Sequence, residues 1–126
     1  GHATLATAFV LFSENYVELG NYLETLPRDI PKYVIVNADG VDIHNIPMPA
    51  QTVMFITKTY LPEWQKEKNI FYITLPQINS LIQTTNQWEH FYITMLETDA
   101  NLRLRLKEKI PDLKIYTDKN VIVLYK

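Results

Sequence analysis

Ile70-Phe71-Tyr72-Ile73-Thr74, followed at once by Leu75-Pro76-Gln77 and then by Ile78, Leu81 and Ile82, is the stretch on which the fold reading turns. Its first five residues are β-branched or aromatic, the types that pack well on a pleated surface. Thr74 with Gln77 three positions later has the form of a capping box, in which side chains satisfy the free N–H groups at a helix start. Ile78, Leu81 and Ile82 then share one helical face. Strand, cap and helix follow in immediate succession.

Working outward, the phrase Tyr72-Ile73-Thr74 recurs as Phe55-Ile56-Thr57 and Tyr92-Ile93-Thr94, in steps of 17 and 20 residues. Each copy closes an apolar run and precedes a polar, helix-like stretch. The spacing matches one strand, one short helix and two turns. Strands are therefore predicted over 52–57, 70–74 and 91–96. The segment from Thr4 to Phe12 ends in the continuous run Phe9-Val10-Leu11-Phe12, typical of a strand covered on both faces, and Tyr33–Val36 reads as another. Between them Ser13 is placed to cap a helix whose Tyr16, Leu19, Leu23 and Leu26 form one face, with Gly20 allowing close packing on a sheet. Residues 41–51 carry neither periodicity and read as a long loop. Pro62 fits the first turn of a helix over 63–68.

The segment after Thr98-Asp99 is two-sided. Leu102, Leu104 and Leu106 alternate with Arg103 and Arg105 as in a strand, yet Leu102, Leu106 and Ile110 share a helical face behind a good cap, and the helix is favoured. Lys114–Thr117 and Val121–Tyr125 read as an edge hairpin or one bent strand. Strands alternating with helices give the α/β class: a three-layer, Rossmann-like or flavodoxin-like sandwich with a mainly parallel sheet of five or six strands. Gly1-His2 reads as the remnant of an expression tag, and residues 3–126 as a single domain cut from a longer protein.

Composition narrows function mainly by exclusion. The net charge of −2 argues against nonspecific nucleic-acid binding, which needs a basic field. Charge is uneven: residues 1–31 carry one base against four acids, and residues 98–126 carry seven bases against four acids. Such asymmetry suits complementary surfaces on one domain or an oriented partner. With no cysteine there is no disulfide framework, thiol nucleophile or thiolate zinc site, which fits a cytoplasmic setting. No apolar run approaches the length of a membrane span. Only Gly1, Gly20 and Gly40 are glycine, so neither GxGxxG nor GxxxxGK[ST] occurs, and no nucleotide cofactor is expected.

Ligands of open parallel sheets gather beyond the carboxyl ends of the strands. The residues predicted to lie there, and so the ligand-binding candidates, are Ser13, Asn37, Thr57, Thr74 and Thr98; serine and threonine also occur there simply as caps. Trp64 and Trp88 fall just outside strands and are candidate partner anchors, although such rings also cover sheet edges. Arg103 and Arg105, with Lys107, would form a basic stripe if their segment were extended. Asp39, Asp42 and His44 on one loop read as a solvated turn rather than a metal site. Ser13, His44 and Asp39 could be drawn as a triad, but no GxSxG elbow supports it. His90 reads as a surface histidine.

The function expected is a noncatalytic α/β module that binds a protein partner or a neighbouring domain. The alternative is one Rossmann-like lobe of a glycosyltransferase-type enzyme, binding a sugar nucleotide or acceptor at the strand ends. A receiver-type phosphoacceptor is disfavoured, because the first strand delivers Ser13 and a single nearby acid, Glu14.

Overall fold

The computed structural model describes residues 7–11, 16–37, 42–43, 46–97, 99–118 and 121–125. Strands β1 (Thr7–Leu11), β2 (Lys32–Val36), β5 (Ile70–Thr74), β6 (Tyr92–Met95), β7 (Lys114–Asp118) and β8 (Val121–Tyr125) pair in the order β5-β2-β6-β1-β8-β7. A separate two-residue pair joins β3 (Asp42–Ile43) to β4 (Ile46–Pro47). Strands β5, β2, β6 and β1 are mutually parallel, whereas β8 runs against both β1 and β7. The class is α/β, with parallel strands at its centre.

One of the three repeated phrases is not a strand. Phe55-Ile56-Thr57 ends helix α2 (Met48–Thr57), so neither the strand predicted over 52–57 nor the long loop predicted over 41–51 is found among the described residues. Ala50, Val53, Met54 and Thr57 recur at spacings of three, one and three, and all four are buried. That helical face was hidden within a short window of β-branched residues whose composition suits a strand. Pro49 lies in the first turn, where a missing N–H is harmless. The other two copies are the strands β5 and β6, on either side of β2, but they are not level. Thr74 pairs with Val36 at the strand end and is exposed, while Thr94 pairs with Val34 and is buried.

Apolar side chains fill both faces of the sheet. On one, Leu19 and Leu23 of α1 (Tyr16–Thr25) and Ala50 and Val53 of α2 pack with Val34 and Ile70. On the other, Ile78, Leu81 and Ile82 of α4 (Ile78–Thr85) and Leu102 and Leu106 of α5 (Ala100–Lys109) pack with Tyr33, Ile35, Ile93 and Leu124. The division follows from chain direction. The connections β1 to β2 and β2 to β5 cross the sheet one way, and β5 to β6 and β6 to β7 cross the other. Right-handed crossovers then put the two sets of helices on opposite faces.

Local signals explain most of the element ends. Gln77 Oε1 accepts the Thr74 N–H at 2.9 Å, one arm of the capping box, before a 3₁₀ turn over Leu75–Gln77 leads into α4. Asp99 Oδ1 accepts the Leu102 N–H at 3.0 Å, and α5 is a helix with Leu102, Leu106 and Ile110 buried. Helix α2 ends with Lys58 in the left-handed region (φ 57°), the Thr59 N–H reaching Met54 C=O at 2.9 Å and the Lys58 N–H reaching Phe55 C=O at 3.4 Å. This is a Schellman closure with lysine where glycine is usual. Helix α3 (Pro62–Lys68) opens on proline and closes on Asn69, also left-handed (φ 60°). Gly20 does permit close packing, but against a helix rather than the sheet: a Cβ there would lie 2.7 Å from the Cβ of Ile56 in α2. No described helix is long and apolar enough to cross a membrane.

Candidate functional site

The strand order makes the crevice between the carboxyl ends of β2 and β6 the point where connections diverge. The chain leaves β2 towards β5 and leaves β6 towards β7, on the far side of the sheet. Ligands of open α/β sheets enter at such a point. Here Asn37 bridges it. Its Nδ2 donates to Glu97 C=O at 3.0 Å, and its Oδ1 accepts the Glu97 N–H at 2.9 Å. The rung before it is an ordinary backbone bond, Leu96 N–H to Ile35 C=O at 3.1 Å. The amide side chain therefore imitates one more peptide unit and extends the β2–β6 ladder.

Of the other predicted rim residues, the two that are described, Thr57 and Thr74, do not converge on this crevice. Thr74 lies at the end of β5, its backbone N–H taken by Gln77. Thr57 is away from the rim, because its segment is helical, and it is fully buried. Its Oγ1 donates to Val53 C=O at 2.8 Å and lies 2.7 Å from Thr59 Oγ1, which is 2.6 Å from the Tyr72 hydroxyl. This chain of hydroxyls fastens the end of α2 to β5, and burial raises the Tyr72 pKa above its ordinary value. Ser13, Thr98, Asp39 and His44 lie outside the described residues, and Asp42 is described only through its backbone in β3. No group of three His, Cys, Asp or Glu suited to a metal ion occurs among the described residues.

A groove of about 580 Å³ lies instead at the β5 edge of the sheet. Tyr33 from β2, Phe71 and Ile73 from β5, and Trp88 from the turn before β6 give it an aromatic and aliphatic wall. The Tyr33 and Phe71 rings are 5.9 Å apart and tilted by 31°. Gln65, Lys66 and Asn69, at the end of α3, supply a polar wall, and Gln77 a further amide. Gln65 is held in place, its Nε2 donating to Thr59 C=O at 3.0 Å beside the Tyr72 hydroxyl network. Burial raises the Tyr33 pKa, partly offset by a hydrogen bond with the Trp88 side chain. Among the described residues the groove is lined by no carboxylate, imidazole or thiol, and burial raises the pKa values of its two tyrosines. Such a wall can stack rings and hydrogen-bond amides.

Trp64 and Trp88 are 45% and 46% exposed. They line different depressions: Trp88 the groove, and Trp64, with Lys58, Glu67 and Lys68, a smaller one of about 160 Å³. Arg103 and Arg105 are on α5, so the basic stripe of an extended segment does not form. Positions two apart on a helix point about 200° apart. Arg105 hydrogen-bonds the Asn79 side chain, and Lys107 Nζ is used within the fold, donating to Pro111 and Leu113 C=O at 2.9 and 2.6 Å. His90 is exposed.

Two features escaped the sequence reading. Lys32 begins β2 yet is 1% exposed, its Nζ donating to Pro27 C=O at 2.7 Å and Ile30 C=O at 2.9 Å. Burial lowers its pKa to about 8, against the opposing pull of Asp29. A lysine at a strand start reads as solvated, and the turn of proline and aspartate before it was the one available hint. The groove was invisible because Tyr33, Phe71 and Trp88 meet only once β5 is known to lie beside β2. Comparisons with protein-family models, curated proteins and solved structures gave no match.

Proposed function

We propose that this chain is a noncatalytic binding module that recognises a protein partner through the groove at the β5 edge. The observation that carries the reading is the chemistry of that groove: a half-exposed tryptophan ring with Tyr33 and Phe71 beside amides and one ammonium, and no carboxylate, imidazole or thiol among the described lining residues. Tryptophan is among the residue types enriched at the anchors of protein interfaces. The Asn37 bridge supports the same reading, since it occupies the crevice where a sugar nucleotide would enter the glycosyltransferase alternative. Helices on both sheet faces support a three-layer sandwich of Rossmann-like type, and a chain without cysteine suits a reducing cytoplasm.

Site-specific photocrosslinking in the protein's own cells tests the proposal. With a benzophenone amino acid at position 88, a discrete protein adduct is expected. At position 104, exposed on α5, none is expected. Equal adducts at both positions, or a rise of several degrees in Tm with millimolar nucleotide or sugar nucleotide, would refute it, because a ligand bound only to the folded state must stabilise it.

A further inference from the structure

The backbone pattern of the sheet identifies which part of the β5 edge is open. The Lys32 N–H bonds Asn69 C=O at 2.9 Å, so the even-numbered residues of β2 face β5. The Tyr92 N–H bonds Pro31 C=O at 2.9 Å, and the Leu96 N–H bonds Ile35 C=O, so the odd-numbered ones face β6. Alternation then turns the N–H and C=O of Ile70, Tyr72 and Thr74 outward, away from β2. The Thr74 N–H, taken by Gln77 rather than by β2, agrees with this. Ile70 is 1% exposed and so is covered, and the Thr74 N–H is already taken, which leaves the half-buried Tyr72 as the remaining rung. The described residues make no bond to its outward N–H or C=O. An unpaired rung beside a groove is a template for one more extended chain.

Charge selects what that chain carries. Among the described residues, Lys66 is the one ionic side chain that lines the groove, and it is exposed and forms no ion pair with any of them. Phe71 and Ile73 of β5 face the α4–α5 layer and Tyr72 the α1–α2 layer, and α3, which carries Lys66, is tied to the Tyr72 side through Gln65 and Thr59. Successive residues of an added strand point to opposite sides as well. We infer that the partner segment is an extended peptide in which an aromatic residue alternates with an acidic one, the ring entering the Tyr33–Phe71–Trp88 wall and the carboxylate meeting Lys66. A second copy of the chain fits less well, since β5 itself carries no acid. This inference rests on the partner-binding reading above and specifies the partner's chemistry.

Titration with acetylated, amidated (Phe-Glu)₃ tests it, followed by the Tyr72 amide resonance and, in a Trp64→Phe background, by Trp88 fluorescence. Both signals are expected to shift and saturate. Binding should weaken about tenfold for (Phe-Lys)₃, and the preference should reverse in Lys66→Glu, an exposed site where folding is not at stake. The same peptide N-methylated at alternate residues should lose the Tyr72 shift. Equal binding of the N-methylated or lysine peptide, saturation of the groove by phenylacetate alone, or no shift at millimolar peptide would each overturn the inference. So would a concentration-dependent dimer in which the Tyr72 amide is already protected. If the peptide fails while the position-88 adduct persists, the extended acidic segment is wrong and partner binding stands.

Discussion

Gly20→Ala probes the contact that holds α1 against α2, and two opposing magnitudes decide its sign. In an open helix, alanine is better than glycine by about 1 kcal/mol. Here the new Cβ would lie 2.7 Å from both Cβ and Cγ2 of Ile56, and 3.3 Å from its Cγ1. Carbon atoms in contact prefer about 3.5–4.0 Å, so the helices must part by roughly 1 Å. The Ile56 Cβ is fixed to the α2 backbone and no rotamer change can move it aside. Overpacking of this kind costs about 1–3 kcal/mol, which exceeds the propensity gain. The expected net result is a loss of about 1 kcal/mol, or a fall in Tm of about 4 °C for a chain of this size. Urea unfolding with calorimetry measures it, with Asn21→Ala as the control, an exposed neighbour on the same helix that should gain a few tenths of a kcal/mol. Combining Gly20→Ala with Ile56→Ala removes both Cγ contacts and should recover about 0.5–1 kcal/mol of coupling. If Gly20→Ala stabilises as much as Asn21→Ala does, the tight α1–α2 approach is refuted.

Three further outcomes follow from the same geometry. Because the folded-state pKa of Lys32 is about 8 against an ordinary 10.5, the unfolded chain binds more protons between those values, and stability should rise with pH through that window by up to about 3 kcal/mol. The raised tyrosine pKa values act oppositely above pH 10, so unfolding compared at pH 7.5 and 9.5 isolates the effect, and Lys32→Met should abolish the slope. Lys58→Gly relieves a left-handed lysine at the end of α2 and should raise the unfolding free energy by about 0.5–1 kcal/mol, read from the urea midpoint at unchanged m. Asn37→Ala removes both bonds to Glu97 at an exposed site, where water replaces them. It should cost only about 1 kcal/mol, while hydrogen exchange at the Glu97 amide accelerates markedly.

Elements written in short-range code were legible. The Thr74–Gln77 cap with Ile78, Leu81 and Ile82, and the Asp99 cap with Leu102, Leu106 and Ile110, each pair a local hydrogen bond with a helical face, and both formed as read. Where two local signals disagreed, composition misled. In Phe55-Ile56-Thr57 the β-branched residues suggested a strand, but the burial of Ala50, Val53, Met54 and Thr57 follows a helical period, and packing against Leu19 and Leu23 outweighs a weak propensity. At the candidate site, Trp88 was legible as a ring outside a strand and a candidate anchor, and its exposure came only from the structure. Its companions Tyr33, Phe71 and Lys66 were not.

By itself the sequence determined the α/β class, the positions of four of the five described helices, and the absence of cysteine and of glycine-rich phosphate loops. The tertiary structure alone decided that β2 lies between β5 and β6, and every site assignment descends from that. It set Asn37 on Glu97 across 60 residues of sequence, buried Lys32 beneath its own preceding turn, and brought Tyr33, Phe71 and Trp88 together in one groove. The physical reason is one of range. Caps, turns and amphipathic faces are fixed by neighbours a few residues apart, whereas strand order is fixed by which distant apolar faces bury most area together, a sum over the whole chain that no local window contains.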